Sequence, residues 1–438
     1  MISPDVFTRY AAARVPRYTS YPTAPNFLAA ADDTTHRQWL RDIRADAPVS
    51  AYFHIPFCRQ MCWYCGCHTT VASRRSSILR YTTLLAKEIS MVATQLRDRL
   101  TVDHVHWGGG TPTMLSPSAI KALNRRFRRS FELAPSADIS LEIDPRNFPD
   151  DVAAAFAETG VNRASIGVQT FDPVVQEAIN RVQPMEVVAA AMRLVRSLGV
   201  KSVNLDLIYG LPRQTTASCL ATVQRALELR PDRFAVFGYA HVPSFKPHQR
   251  NIREAALPSA SERIDQAQAI AEALLAAGYE RVGFDHFALP DDRLARAARN
   301  GTLRRNFQGY TTDSCETLLG FGASAISRLP AGFTQNATRI PEYYRRLSSS
   351  QLPTARVCRV STEDARRAGI IEQLMCNYRA DIGSVAPIAL AELERDGLIR
   401  RTGSLVEVTE GARPLVRAVA AAFDAYLPQA SVRHATAV

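Results

Sequence analysis

From residue 48 to about 285 the chain alternates short β-branched runs with amphipathic stretches, and no other feature narrows its fold as far. The pattern predicts strands near 50–55, 102–107, 139–143, 163–168, 202–208, 234–239 and 279–284. It predicts helices near 77–98, 117–132, 150–158, 172–198 (broken at Pro184), 215–229 and 259–277. Ser116 and Ser259 stand where helix N-caps belong. Strands separated by helices cannot pair through tight turns, so they run parallel with right-handed crossovers. About six such units are too few to close an eight-stranded barrel. The expected fold class is therefore α/β, with a partial, open, parallel TIM-like barrel over 49–290.

What flanks the barrel reads differently. Residues 1–48 form an N-terminal extension placed to cover the barrel mouth, with Pro16 and Pro22 framing RYTSYP. Residues 291–355 are loop-rich and connect onward, completing the site. Residues 356–430 read as a mainly helical C-terminal domain ending in a helix, a hairpin with Gly403 at its bend and a further helix, a winged-helix-like outline. The tail at 431–438 is expected to be disordered.

The chain has 438 residues, more than one core usually holds. Its most apolar runs, 187–200 and 415–423, are too short and interrupted to span a membrane. The N-terminus has no apolar segment of a secretory signal, so the cytoplasm is the expected compartment, with a monomer as the expected state. A net charge of +11 suits an anionic partner. The arginines are dispersed with no run of five like charges, so an acidic small substrate is favoured over nucleic acid.

Four of the eight cysteines fall in Tyr52–His68, YFHIPFCRQMCWYCGCH, just after the first strand. Cys58, Cys62 and Cys65 are spaced C-x3-C-x2-C, and thiolates this close select zinc or an iron–sulfur cluster. Three thiolates on a [4Fe–4S] cube leave one iron without a protein ligand and able to chelate a substrate. Chelation of the amino and carboxylate groups of S-adenosylmethionine (SAM) is the chemistry this spacing is known for. The alternative is a zinc ion on the same three cysteines with Cys67 or His68. Cys67 would strain a cube as a fourth ligand and is read as a non-ligating neighbour. Cys219, Cys315, Cys358 and Cys376 are isolated and read as buried small hydrophobes.

Parallel barrels gather reactive groups at the C-terminal ends of their strands. Gly108, Gly109 and Gly110 of WGGGTPT close the second strand, Glu142 the third, Gln169 the fourth, and Asp206 lies late in the fifth. Tyr239, Ala240 and His241 end the sixth. The glycines let backbone approach a ligand. Glu142 and Asp206 offer carboxylates to ribose hydroxyls or an ammonium, unless they are plain salt-bridged acids. Gln169 and Arg181 suit a ligand carboxylate, although a lone arginine on a helix is more often solvated. His241 and His286 are rim polar groups or merely packed. Tyr52 and His54 flank the cysteines, with His54 suited to bonding nearby backbone.

These motifs, with LEIDPRNF, RASIGVQTFD, NLDLIYGLP, FGYAHVP, DHFALPDD and RRNFQGYTT, resemble the oxygen-independent coproporphyrinogen III oxidase family of radical SAM enzymes. The resemblance runs from about Pro16 to Leu427 and includes PRYTSYPT and CNYRAD, but the chain is shorter than the family pattern between CNYRADIGS and ALAELERDGLI. It implies a [4Fe–4S] cluster on Cys58, Cys62 and Cys65, two SAM molecules, and Cys67 and Tyr52 among the catalytic groups. Cofactor contacts are implied at Tyr52, Tyr64, Gly109, Gly110, Thr111, Glu142, Gln169, Arg181, Asp206, Ala240 and Ile326. The implied reaction converts two propionates of coproporphyrinogen III to vinyls, with a flavodoxin or ferredoxin as electron donor. Arg17, Arg146, Arg304 and Arg305 are rim arginines suited to a tetracarboxylate. A haem-trafficking paralogue, or a two-SAM tailoring enzyme, would share the barrel. The paralogue typically lacks the CxC cysteine and PRYTSYPT.

Overall fold

The computed structural model describes residues 2–427 and 437. The expected tail at 431–438 lies outside the described residues apart from Ala437. Seven parallel strands form the centre, labelled in chain order β1 (Val49–Ile55), β2 (Thr101–Gly109), β3 (Glu132–Ile143), β4 (Arg163–Gln169), β5 (Ser202–Tyr209), β6 (Arg233–Gly238) and β7 (Thr317–Phe321). Their spatial order is β7–β1–β2–β3–β4–β5–β6 within a 13-stranded sheet that stays open. The first six match the sequence reading, while β7 comes from the region expected only to connect; it pairs with β1, Leu319 opposite Ala51. The remaining strands extend both edges antiparallel.

Two expectations change. The run at 279–284 is not a further parallel strand. It folds as Glu280–Val282 and returns as His286–Ala288, which pairs antiparallel with β6. Gly283 makes the turn at φ +58°, where any Cβ would overlap the Tyr310 ring. The break expected at Pro184 is present, but the first helix ends sooner: Pro173–Ala178 is followed by a link before Met185–Ser197, and Arg181 lies in that link instead of on a helix face.

Strand periodicity decides which side chains meet. Phe53, Ile55, Trp107, Leu141, Ile166, Leu205 and Phe234 point to the helices and form the main core. Phe53 stacks on Trp107 at 4.3 Å and on Phe321 at 5.2 Å, and meets the edge of Phe127 at 5.1 Å, tying β1, β2, β7 and the helix Pro117–Ser130 together. Removing such a ring costs about 3–5 kcal/mol. The alternate positions are polar: Ser50, His106, Ser140, Glu142, Ser165, Asn204 and Asp206 line a cavity of about 300 Å³ inside the barrel. A one-residue register slip would exchange these two sets, so the pattern fixes the register. Ser116 and Ser259 cap their helices as expected, the latter in a capping box with Glu262.

The helix Thr362–Asn377 begins a smaller unit containing the strands Arg379–Asp381, Ile399–Thr402 and Leu405–Val408, with Gly403 in the hairpin bend. The preceding strand, Thr354–Arg359, belongs to the large sheet, so this unit starts later than 356. Tyr18 and Tyr21 of the N-terminal segment are buried in its core with Leu374, Leu415 and Phe423. Tyr18 Oη donates to Asp424 at 3.0 Å, and the Ala425 N–H donates to Tyr21 Oη at 3.0 Å. The two ends of the chain thus make one body beside the barrel. Among the described residues no helix is long and apolar enough to cross a membrane.

Candidate active site

The cysteine loop leaves the end of β1 and is held against β2 by its first residues. Phe57–Cys58 pairs with Thr70–Val71, and the Gly110 N–H donates to the Ile55 carbonyl at 2.9 Å. Cys58 Sγ lies 3.2 Å from Thr69 Oγ1 and 3.4 Å from Thr111 Oγ1. Cys62 Sγ faces two guanidinium groups, Arg146 at 3.4 Å and Arg181 at 3.6 Å. Cys65 Sγ accepts the Cys67 N–H at 3.4 Å. Hydrogen bonding from Cys67 draws the Cys65 thiol down to about 7, whereas burial pushes Cys58 up, aided by the neighbouring Cys65 and Cys62 charges. Cys67 is exposed and lines the barrel cavity.

The donor chemistry fits a cluster. Three thiols each face an N–H or hydroxyl group able to hydrogen-bond to sulfur, and Cys62 and Cys65 both act electrostatically on Cys58. Among the described residues no three His, Cys, Asp or Glu side chains gather tightly enough for a single ion, the three cysteines included.

The glycines at the end of β2 also do a job not read from the sequence. A Cβ on Gly108 would lie 2.8–2.9 Å from the Glu142 carboxylate, one on Gly109 2.8 Å from the His54 ring, and one on Gly110 2.9 Å from both N and O of Phe57. They are small because the protein's own site packs onto them. Their N–H groups are also committed, Gly109 to Glu142 at 3.0 Å and Gly110 to Ile55, so any ligand contact there falls to carbonyl oxygens.

Glu142 is bonded by His106 Nε2 at 2.9 Å, and His106 Nδ1 meets Ser140 Oγ at 2.6 Å. Burial alone would raise the Glu142 carboxyl, but His106 and the Gly109 N–H hold it below the usual value, as an anion. Tyr52 stacks on His106 at 5.7 Å and bonds His54 Nδ1 at 3.0 Å; His54 Nε2 reaches the His68 carbonyl at 2.8 Å. His54 therefore bonds loop backbone, as expected, and also orders Tyr52. Asp206 is pushed up to about 7 by burial and the nearby Glu142 charge, although Ser165 (3.1 Å) and Asn204 (2.7 Å) donate to it.

Arg181 is only 6% exposed and donates to the Gly167 carbonyl at 2.7 Å while pairing with Asp144 at 3.4 Å. It is not a solvated residue. β4 ends in a bulge between Gly167 and Gln169, and Gln169 takes φ +68° there. Gln169 and Arg181 close over Gly167, where a Cβ would approach them to 2.9 and 3.0 Å. Gln249 donates to the carbonyls of Tyr64 (3.1 Å) and Ala240 (3.2 Å), joining the cysteine loop to the end of β6. Ile326 is on the strand beyond β7, its backbone close over Gly320, the partner of Tyr52, and its side chain packed with Phe27 and Phe333. His241 bonds Tyr239 Oη at 2.8 Å, and His286 bonds Asp285 at 2.6 Å.

Sequence reasoning missed His106, Asp144 and the group that clasps the loop from behind. Lys246 donates to the Cys67 carbonyl at 2.9 Å and His248 bonds the Cys65 carbonyl at 2.7 Å. Asp144 at the end of β3 was readable by the same strand-end logic that found Glu142; Lys246 and His248 carried no periodic signal.

Residues 52–226 match the family model described as the radical SAM superfamily. The chain is 50% identical to the oxygen-independent coproporphyrinogen III oxidase of Bradyrhizobium diazoefficiens, covering 99% of both chains. It is 42% identical to the enzyme of the same name from Cereibacter sphaeroides, over 94% of this chain and 95% of that one. The solved structure of coproporphyrinogen III oxidase (HemN) from Escherichia coli, a radical SAM enzyme, superposes with a TM-score of 0.88 at 37% identity, over 94% of this chain and 100% of that one. With the cysteine loop at the head of such a barrel, the chain belongs to the oxygen-independent coproporphyrinogen III oxidase family of radical SAM enzymes.

Proposed function

We propose that this chain converts coproporphyrinogen III to protoporphyrinogen IX by oxidative decarboxylation of two propionate side chains, the activity carried by its relatives' name. The observation that carries the reading is the convergence of the cysteine loop, Glu142 and Asp206 on one polar cavity in a chain of this family. A [4Fe–4S] cluster and SAM, when bound, supply the 5′-deoxyadenosyl radical that takes a hydrogen atom from the propionate; loss of CO2 and of one further electron leaves the vinyl group.

The chain's residues hold and shield that chemistry. Cys58, Cys62 and Cys65 are the cluster ligands in this reading. Arg146 and Arg181 offset the charge near Cys62, and Thr69 and Thr111 bond Cys58. Ionised Glu142, fixed by His106, suits a cationic or hydroxyl group of SAM, as do Asp206 and the carbonyls of Gly109, Gly110 and Ala240. Thr111, Tyr64, Gln169, Arg181 and Ile326 complete the cofactor contacts proposed for one or two SAM molecules. Tyr52 and Cys67 are the catalytic groups of this reading, with Cys67 lining the cavity and Tyr52 held by His54. In this reading the N-terminal segment up to residue 48, the connecting region (291–355) and the C-terminal unit that begins at Thr362 cover the barrel (49–290) and keep water from a carbon radical. A flavodoxin or ferredoxin donor, a cytoplasmic location, a monomeric state and no dealings with nucleic acid or membrane complete the reading.

Anaerobic reconstitution with iron and sulfide, followed by reductant, SAM and coproporphyrinogen III, tests it. Protoporphyrinogen IX with 5′-deoxyadenosine is the expected outcome. Haem binding without turnover, or 5′-deoxyadenosine without decarboxylation, would refute it.

A further inference from the structure

Beside the barrel cavity lies a second one of about 360 Å³, walled by Tyr18–Tyr21, the hairpin strands Arg304–Asn306 and Gly309–Thr311, and the strand Ile326–Leu329. The two cavities share Asn306, Thr311, Asp313 and Leu318, so a molecule reaching the cysteine loop extends naturally into the second space. Its charges separate into spent and unspent. Glu372 is taken by Arg304 Nε at 3.0 Å and the Arg305 N–H at 3.2 Å. Asp313 accepts from Ser50 and from the Cys315 N–H at 2.5 and 2.9 Å, with His104 at 3.7 Å.

Two cations keep unused donors, although Arg305 also acts electrostatically on Asp285. Arg305 is 9% exposed and lies over the Tyr310 ring at 4.4 Å. Its Nε and Nη2 donate to the Arg17 carbonyl at 3.4 and 3.3 Å, but its buried Nη1 has no partner. A buried, unpaired guanidinium N–H is costly and marks a place where an acceptor belongs. Arg328 stands opposite Leu318 in the cavity wall, exposed, with no ion pair or hydrogen bond among the described residues. A buried donor without an acceptor and an exposed cation lining one cavity suit a carboxylate.

We propose that Arg305 and Arg328 form a carboxylate subsite that holds a propionate of the porphyrinogen other than the one being oxidised. This rests on the function proposed above and adds the residues that set the substrate's orientation. Arg305 is the orienting donor, placed by Tyr310 and the N-terminal segment; Arg328 supplies the charge.

Binding of coproporphyrin III, the stable oxidised form of the substrate, and of its tetramethyl ester can be followed by fluorescence in the reconstituted enzyme, alongside steady-state turnover. R328Q is expected to weaken coproporphyrin binding and raise KM about fivefold with kcat nearly unchanged. R328K should restore most of the loss, and the ester should bind wild type and R328Q alike. R305K is expected to lose more, since a lysine lacks the fork. Binding and KM in R328Q within twofold of wild type would overturn the proposal, whatever R305K does to folding. Failure of the wild type to decarboxylate coproporphyrinogen would instead sink the function, and the carboxylate dependence of porphyrin binding would still judge the subsite.

Discussion

Substituting Gly110 by alanine tests the link between the glycine run and the cysteine loop. The added Cβ would sit 2.9 Å from both N and O of Phe57, where ordinary contact begins at 3.4 Å, and would also press on Thr69 Oγ1. Backbone must therefore retreat by about half an ångström. The retreating residue is bonded directly to Cys58, and the pressed hydroxyl is the one 3.2 Å from Cys58 Sγ. Overpacking of this kind costs about 1–3 kcal/mol. A domain's total stability is about 5–15 kcal/mol, so the fold survives. A metal–sulfur site tolerates errors of only about 0.2 Å, so the cluster should not. G110A is expected to reconstitute with less than half the wild-type iron and sulfide per chain while keeping its circular dichroism spectrum. Gly66 sits inside the same motif, between Cys65 and Cys67, yet nothing lies within 4 Å of a Cβ placed there. G66A should therefore load iron normally. Full iron content in G110A, or an equal loss in both variants, would refute the packing argument.

Two further outcomes follow from buried charge. R181M leaves Asp144 with Arg146 alone and strips a donor from the Gly167 carbonyl, so urea denaturation should show a loss of about 3 kcal/mol. His36 is buried against Thr354 Oγ1 at 2.6 Å, and burial lowers its imidazole from 6.5 to about 4. The folded state favours neutral His36, so its stability is full above pH 6.5 and falls as the pH drops towards 4, by up to about 3 kcal/mol. H36Q should flatten that part of the stability–pH profile, and an unchanged slope would show that the loss arises elsewhere.

The six strands from 49 to 238 were legible because each carries its own period-2 pattern, and the helix starts because Ser116 and Ser259 act locally. β7 was not. Thr317–Phe321 is short, and its partner β1 lies more than 260 residues earlier, so nothing local marks it as a strand of the barrel. The run at 279–284 misled because YERVGF looks continuous; only the Tyr310 ring packed on Gly283 shows why it must turn. The cysteines, Glu142 and Asp206 stood out by residue type at strand ends. Lys246 and His248 did not, because their task is to bond carbonyls of a loop some 180 residues away.

The polarity of the barrel interior also explains why the ends of the chain are needed. A closed eight-stranded barrel fills its centre with branched apolar side chains and so stabilises itself. Here the inward positions of β1 to β5 carry serine, histidine, asparagine and acids around a cavity, so that face contributes little hydrophobic energy. The apolar burial lies on the outer face, with the helices, and in the separate core where Tyr18 and Tyr21 meet Leu374, Leu415 and Phe423. Between these two bodies run the Arg305 bonds to the Arg17 carbonyl and the Arg17 bond to the Gly238 carbonyl at 2.9 Å. Polar ties of this kind are individually weak in water and stronger when water is excluded. The cover is therefore fastened most firmly when the cavity is filled, which suits an enzyme that must admit a large anionic substrate and then keep solvent from a carbon radical.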